Sequence, residues 1–209
     1  MWYSLLITVL TAYLLGNLNG SVCISQIVAH EDVRSHGSGN AGLTNFFRTY
    51  GSWSTLLVLL IDAGKTVLAC LVGGLLLKSY GYGSEGAVAG AVAVSLGHDF
   101  PALLGFKGGK GIVCGLAIAL VLDWRIALII LAVFVVCFAI TRYVSLSSVL
   151  AATAFLIGFV VFHYDNMFVM GGGILIALLA IIMHRGNIKR LLTGTEKKVH
   201  LIHREKNKE

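Results

Sequence analysis

Seven apolar runs, at about residues 2–24, 53–77, 86–104, 111–122, 126–141, 148–163 and 168–183, leave this chain little choice of environment. A bilayer core about 30 Å thick is crossed by roughly 20 apolar helical residues, fewer where a helix is buried among its neighbours. With 57% hydrophobic and 12% charged residues in 209, there is too little polar side chain to clothe a soluble globule. The expectation is an all-α integral membrane protein with seven transmembrane helices, folded as a single polytopic domain over residues 1–209. The shortest break, Asp123-Trp124-Arg125, carries two charges and an interfacial tryptophan, so it reads as a tight turn between two helices. The first run has no basic lead-in and no small-residue cleavage site, which predicts a retained span.

Basic residues orient the bundle. With the N-terminus outside, the segments 25–52, 105–111, 142–147 and 184–209 face the cytoplasm and hold Arg34, Arg48, Lys107, Lys110, Arg142 and the tail. The opposite segments keep only Lys78 and Arg125, which fits the positive-inside rule and puts the C-terminus in the cytoplasm. The net charge of +6 gathers in a basic tail over about 186–209, including Lys189, Arg190, Lys197, Lys198, Arg204, Lys206 and Lys208. Without interleaved aromatics such a tail suits anionic lipid headgroups and not nucleic acid.

Three glycine-studded islands fall on that one face: Gly37-Ser38-Gly39-Asn40-Ala41-Gly42-Leu43-Thr44-Asn45 with Arg48, then Lys107-Gly108-Gly109-Lys110-Gly111, then His184-Arg185-Gly186-Asn187. Converging backbone N–H groups, the hydroxyls of Ser38 and Thr44, the fork of Arg48 and the point charge of Lys110 are what an anion such as phosphate needs. A flexible connector would share the glycine pattern; two cationic glycine loops on one membrane face favour a ligand site. His184 and Arg185 could equally complement a helix C-terminus.

Familiar nucleotide motifs are imitated but not met. Gly37-x-Gly39-x-x-Gly42 has no preceding strand and leads into an apolar span. Gly64-Lys65-Thr66 has Leu59 at the required first glycine; Gly109-Lys110-Gly111 has Leu104 there, and Gly111 in place of the Mg²⁺-binding Ser or Thr. Asp62 and Lys65 are spaced to form a neutral i,i+3 pair within the second run, whether for structure or for function. His98-Asp99 could support the Lys110 loop, while Ser145, Ser147 and Ser148 could add hydroxyls to the same face or cap a helix. Cys23, Cys70, Cys114 and Cys137 lie singly in apolar stretches and read as packing residues. No metal site or cofactor is expected. Glycines in the spans, as in Gly86-x-x-x-Gly90, Gly73-Gly74 and Gly171-Gly172-Gly173, read as close helix packing.

Taken in order, these residues resemble the bacterial membrane glycerol-3-phosphate acyltransferases that use acyl phosphate, the PlsY family. The likeness runs through Gly20-Ser21, Arg34, the first island to Arg48, Asp62-x-x-Lys65, Gly97-His98, Phe106-Lys107-Gly108-Gly109-Lys110-Gly111, Thr141-Arg142-Tyr143-Val144-Ser145-Leu146, and His184-Arg185-x-Asn187-Ile188 leading to Gly194-Thr195-Glu196. Cys23 stands where proline is usual, Leu43 where alanine is, and Thr66 where glycine is.

The resemblance implies seven helices in a bacterial inner membrane and a cytoplasmic site. It also implies acyl transfer from acyl phosphate to the sn-1 hydroxyl of glycerol 3-phosphate, giving lysophosphatidic acid and phosphate, the first step of phospholipid synthesis. It assigns Gly37, Ser38, Gly39, Asn40, Thr44, Asn45 and Ser145 toward the donor, and Arg48, Lys110, His184 and Asn187 with Gly108 and Gly109 toward the acceptor. Ser38, Arg48, Lys110, His184 and Asn187 are the expected catalytic set. Since acyl phosphate is an activated anhydride and Ser38 has no base partner in the sequence, the expected chemistry is direct transfer without an acyl-enzyme. The proton would go to a donor phosphate oxygen or to His184. A membrane transporter of a phosphorylated solute, with Asp62 and Lys65 as coupling residues, is the rival class.

Overall fold

The computed structural model describes residues 1–51 and 53–199; the tail cations Arg204, Lys206 and Lys208 lie outside the described residues. All seven apolar runs are helical, within ten α-helices: α1 (Trp2–Asn17), α2 (Gly20–Ala29), α3 (Leu43–Tyr50), α4 (Trp53–Lys78), α5 (Gly83–Asp99), α6 (Ile112–Leu122), α7 (Trp124–Thr141), α8 (Val144–Phe162), α9 (Met167–Met183) and α10 (Arg185–Leu192).

Length and composition separate these helices. Five stretches among the described residues can cross a membrane: α1 continued by α2, α4, α5 with the turn after it, α7 and α8. A sixth arises if α9 and α10, bent by 54° at His184, count as one span. The fourth apolar run makes only the eleven residues of α6, about 16 Å at 1.5 Å per residue. The length test therefore yields five or six spans against the seven expected.

The first run also departs from a single helix. It breaks at Leu18, and Asn19 caps α2 by accepting a hydrogen bond from the Val22 N–H. The break frees the Gly16 and Leu18 carbonyls, and the Lys65 Nζ of α4 donates to both, at 3.2 and 2.5 Å. Asp62, one turn earlier on α4, pairs with Lys65 at 2.8 Å and accepts from the Gly20 N–H at 3.1 Å. The expected i,i+3 pair is thus formed, and it pins the α1–α2 break to α4.

Small residues bring backbones together, as packing without a hydrophobic drive requires. Gly73 of α4 lies directly against Gly86 of α5, and Gly16 of α1 against Gly97; a Cβ at any of them would collide with the facing backbone. Gly90, Gly172 and Gly173 are similarly enclosed, whereas Gly171 faces open space. A second layer, α7–α8–α9, closes on α5 and α6 through Ile118, Ile126, Phe155, Phe159 and Ile176. Leucines and isoleucines such as Leu10, Leu60, Leu75, Leu128, Ile140 and Ile157 point outward and stay exposed, an apolar girdle that lipid would cover. The Asp123 turn is tight as expected: its carboxylate accepts from the Arg125 N–H at 3.0 Å and pairs with the Arg125 guanidinium at 2.6 Å. Asn166 donates to Glu85 at 2.8 Å to close the same end of the bundle. All three islands gather at the other end.

Candidate active site

The first island is not a bare loop. Residues 43–50 form helix α3, so Thr44, Asn45 and Arg48 are mounted on a helix that the glycine pattern concealed. Asn45 is buried and threads the loop before it: its Oδ1 accepts from the Ser38 N–H at 2.8 Å, and its Nδ2 donates to the Val33 and His36 carbonyls at 3.1 and 3.0 Å. Gly37 must be glycine twice over, since its φ of 59° is left-handed and a side chain would collide with Asn45. The result is an exposed Ser38 whose hydroxyl has no partner among the described residues.

The first and second islands are sewn together. Arg34 donates to the Leu104 and Lys107 carbonyls at 2.7 and 3.0 Å while paired with Asp32 at 2.7 Å, and Asn40 donates to the Gly108 carbonyl at 3.2 Å. From below, the His98 and Asp99 carbonyls accept from the Gly109 and Gly108 N–H groups at 3.0 and 3.2 Å. His98-Asp99 therefore supports the Lys110 loop, as its position in sequence suggested. The His98 ring lies under Gly109, where no side chain would fit. Gly111 then takes a φ of 69° to open α6.

Lys110 projects from this cradle to the Asn187 Oδ1 at 2.5 Å. The third island thereby meets the second, and both meet the segment after α10. Glu196, folded back over the site, accepts from Ser145 Oγ at 2.7 Å, Asn187 Nδ2 at 2.8 Å and Arg190 Nε at 2.6 Å. Arg48 reaches the same segment at the Lys197 carbonyl, 3.3 Å away. His184 bonds to the Ala180 carbonyl through Nδ1 at 2.8 Å, which leaves Nε2 for the interior.

The electrostatics follow from this crowding. Burial pushes the Lys110 ammonium below the ordinary lysine value, and the neighbouring Arg190 and Arg48 push it the same way against the pull of Glu196. Burial alone would raise Glu196, but hydrogen bonds from Ser145, Asn187 and Arg190 outweigh it and hold the carboxyl below its usual range. Arg48, Lys110, Arg190 and Lys197 thus stand with Glu196, which Arg190 pairs, around a cavity.

That cavity has a volume of about 610 Å³ and two ends. Its polar end is lined by Gly37, Ser38, Asn40, Thr44, Asn45, Arg48, Lys110, Ser145, His184 and Asn187, which brings together ten of the expected site residues. Its apolar end runs between α6, α7, α8 and α9 past Leu116, Ile130, Phe134, Phe155 and Ile176. Of the remaining expected residues, Gly39, Gly108 and Gly109 shape the loops without lining the cavity. Among the described residues, no group of three or more His, Cys, Asp or Glu side chains is placed to hold a metal ion.

The profile of the glycerol-3-phosphate acyltransferase family matches residues 6–194. The chain belongs to that family. Over 194 residues it is 39% identical to the glycerol-3-phosphate acyltransferase of Alkaliphilus metalliredigens, covering 93% of this chain and 95% of that one. It is also 39% identical over 204 residues to that of Clostridioides difficile, covering 94% and 96%. Two solved structures superpose across 94% of this chain and 96% of theirs at 35% identity, with TM-scores of 0.84 and 0.80. They are the glycerol 3-phosphate and lysophosphatidic acid forms of PlsY, an integral membrane glycerol 3-phosphate acyltransferase. Membership makes this member of the PlsY family a multi-pass membrane acyltransferase and sets aside the transporter.

The cavity also takes in residues beyond the expected site. Arg190 and Glu196 line the cavity, as do Asp62 and His98 from within the bundle. Gly194-Thr195-Glu196 marks the first group in sequence, but nothing in its spacing says that it folds back onto Asn187.

Proposed function

We propose that this chain transfers an acyl group from acyl phosphate to the sn-1 hydroxyl of glycerol 3-phosphate, releasing lysophosphatidic acid and inorganic phosphate. The observation that carries this reading is the continuity of a cation-lined polar chamber with an apolar pocket between α6 and α9. One substrate must be phosphorylated and water-soluble, the other phosphorylated and fatty. In this reading the seven helical runs all cross the bacterial inner membrane, with the N-terminus outside and the chamber and C-terminus facing the cytoplasm.

The unpartnered Ser38 hydroxyl, the island around it, Thr44 and Ser145 hold the donor phosphate. Arg48, Lys110, His184 and Asn187 hold glycerol 3-phosphate. Both substrates are anions, so the first task of the cations is to offset their repulsion and align the hydroxyl with the acyl carbonyl. The hydroxyl oxygen attacks the carbonyl carbon, the bond from that carbon to the phosphate oxygen breaks, and phosphate leaves with the electron pair. The hydroxyl proton passes to an oxygen of the departing phosphate; the unengaged Nε2 of His184 is the alternative acceptor. No covalent enzyme intermediate is required. The acyl chain lies along Leu116, Phe134 and Phe155, where Gly115 leaves open space on the wall.

The test is purified protein in detergent or lipid, given palmitoyl phosphate and glycerol 3-phosphate. Phosphate release that requires both substrates and yields the sn-1 product supports the reading. An acyl-enzyme trapped from labelled donor alone would overturn direct transfer, and activity only with a thioester donor would overturn the acyl-phosphate assignment.

A further inference from the structure

His98 is 4% exposed, yet it lines the chamber. On one side its Nδ1 stands 3.0 Å from Lys65 Nζ, which also touches Asp62 and the two carbonyls at the α1–α2 break. A lysine ammonium has three donors and no acceptor, so Nδ1 must supply the lone pair and the hydrogen resides on Nε2. Nε2 is the ring atom beneath Gly109. It has no hydrogen-bond partner among the described residues. A donor of fixed tautomer with no partner among the described residues, on a ring that lines an anion-binding chamber beside the loop that carries Lys110, is open to a ligand's oxygen.

We propose that His98 is a further substrate-contacting residue, whose Nε2–H donates a hydrogen bond to a phosphate oxygen of glycerol 3-phosphate held at the 107–111 loop. The buried Asp62–Lys65 pair acquires a second purpose in this arrangement. Besides closing the α1–α2 break, Lys65 keeps His98 Nδ1 an acceptor and so commits Nε2 as the donor. Because Asp62 neutralises Lys65, the cluster offers a hydrogen bond without adding another full charge to the chamber. The inference rests on the proposed function for the identity of its ligand.

Two substitutions separate the ring's two nitrogens. His98→Gln places an amide donor near the Nε2 position, whereas His98→Asn keeps only the Nδ1 side. Expected is turnover within about threefold of the parent for the Gln form and a fall of about tenfold to a hundredfold in kcat/KM for the Asn form, carried by the KM for glycerol 3-phosphate. Parent-like kinetics in the Asn form would overturn the proposal. A measurement on the unaltered chain covers the case in which either variant fails to fold: the imidazole ¹⁵N signals of the full protein in detergent, assigned by replacing the other histidines in turn. The His98 Nε2 resonance should move on adding glycerol 3-phosphate or inorganic phosphate. An Nε2 signal that stays still, or that moves only with palmitoyl phosphate, would overturn it. An unaltered chain that lacks acyl transfer activity would defeat the proposed function, and the inorganic phosphate titration would still decide whether His98 meets an anion.

Discussion

Two groups of charges, one buried in the bundle and one opening toward the surface, are built on opposite plans. Within the bundle, Asp62 and Lys65 balance one another, each side chain 3% exposed, and the two remaining hydrogens of the ammonium are shared among the Gly16 and Leu18 carbonyls and His98 Nδ1. At the chamber, Arg48, Lys110, Arg190 and Lys197 outnumber the lining carboxylates, Glu196 and the already paired Asp62. A balanced cluster is complete without a visitor; an unbalanced one is not. Net positive charge, whose repulsion adds to the larger effect of burial in lowering the Lys110 value, separates the ligand-binding group from the structural one.

Breaking the balanced pair should give the largest effect on stability. Lys65→Met leaves the Asp62 carboxylate unpaired in the bundle, at an expected cost of about 3–5 kcal/mol. Adding Asp62→Asn to it should recover most of that loss. Thermal unfolding in detergent reads both, and a single variant as stable as the parent would show that the pair is not the staple described above.

The unbalanced group should respond in the reverse sense. Lys110→Ala and Arg48→Ala each remove a cation from a crowded chamber, so unfolding should change little. Transition-state stabilisation should fall by about 2–4 kcal/mol, or roughly thirty- to a thousandfold in kcat/KM. Near-parental turnover in either variant would remove that residue from the site.

A smaller effect sharpens the contrast through pH. Because the Lys110 value is lowered, its ammonium loses the proton earlier than an ordinary lysine as pH rises. The KM for glycerol 3-phosphate should therefore climb on the alkaline side before other lysines titrate, and Lys110→Arg should flatten that limb. A limb unaltered by the Arg substitution would assign the titration elsewhere. The smallest effect is expected at Cys70 and Cys114, which are buried packing residues that do not line the chamber; alanine there should cost about 1 kcal/mol of stability and leave kinetics intact.

Sequence reading reached the residues of the chamber but not the roles of all of them. Ser38, Arg48, Lys110, His184 and Asn187 stood out because they fall in glycine-studded, basic breaks of a chain only 12% charged, and the Asp62–Lys65 pair followed from helical spacing. Asn45 is assigned to the donor side through the family resemblance, but in the fold its amide is engaged in holding the loop that exposes Ser38. Helix α3 escaped notice because glycines flank it, although Phe46, buried at 0% exposure, and Tyr50 four residues on are a helical pair. The α1–α2 break could have been read from Asn19, a good N-cap residue standing before Gly20-Ser21. Glu196 could not have been placed, since its importance arises from a chain reversal after α10 that no periodicity announces.

The brevity of α6 has one more consequence. Helix α7, its antiparallel neighbour, is seven residues longer, so the loop that starts α6 is recessed by about 10 Å from the plane where α7 ends. In the proposed reaction, glycerol 3-phosphate then descends a shaft to reach the Lys110 loop, and the new ester is made beside the apolar end of the cavity. The proposed product is therefore born already partitioned: its tail lies among apolar side chains from which it can slide sideways into a leaflet, with no passage through water.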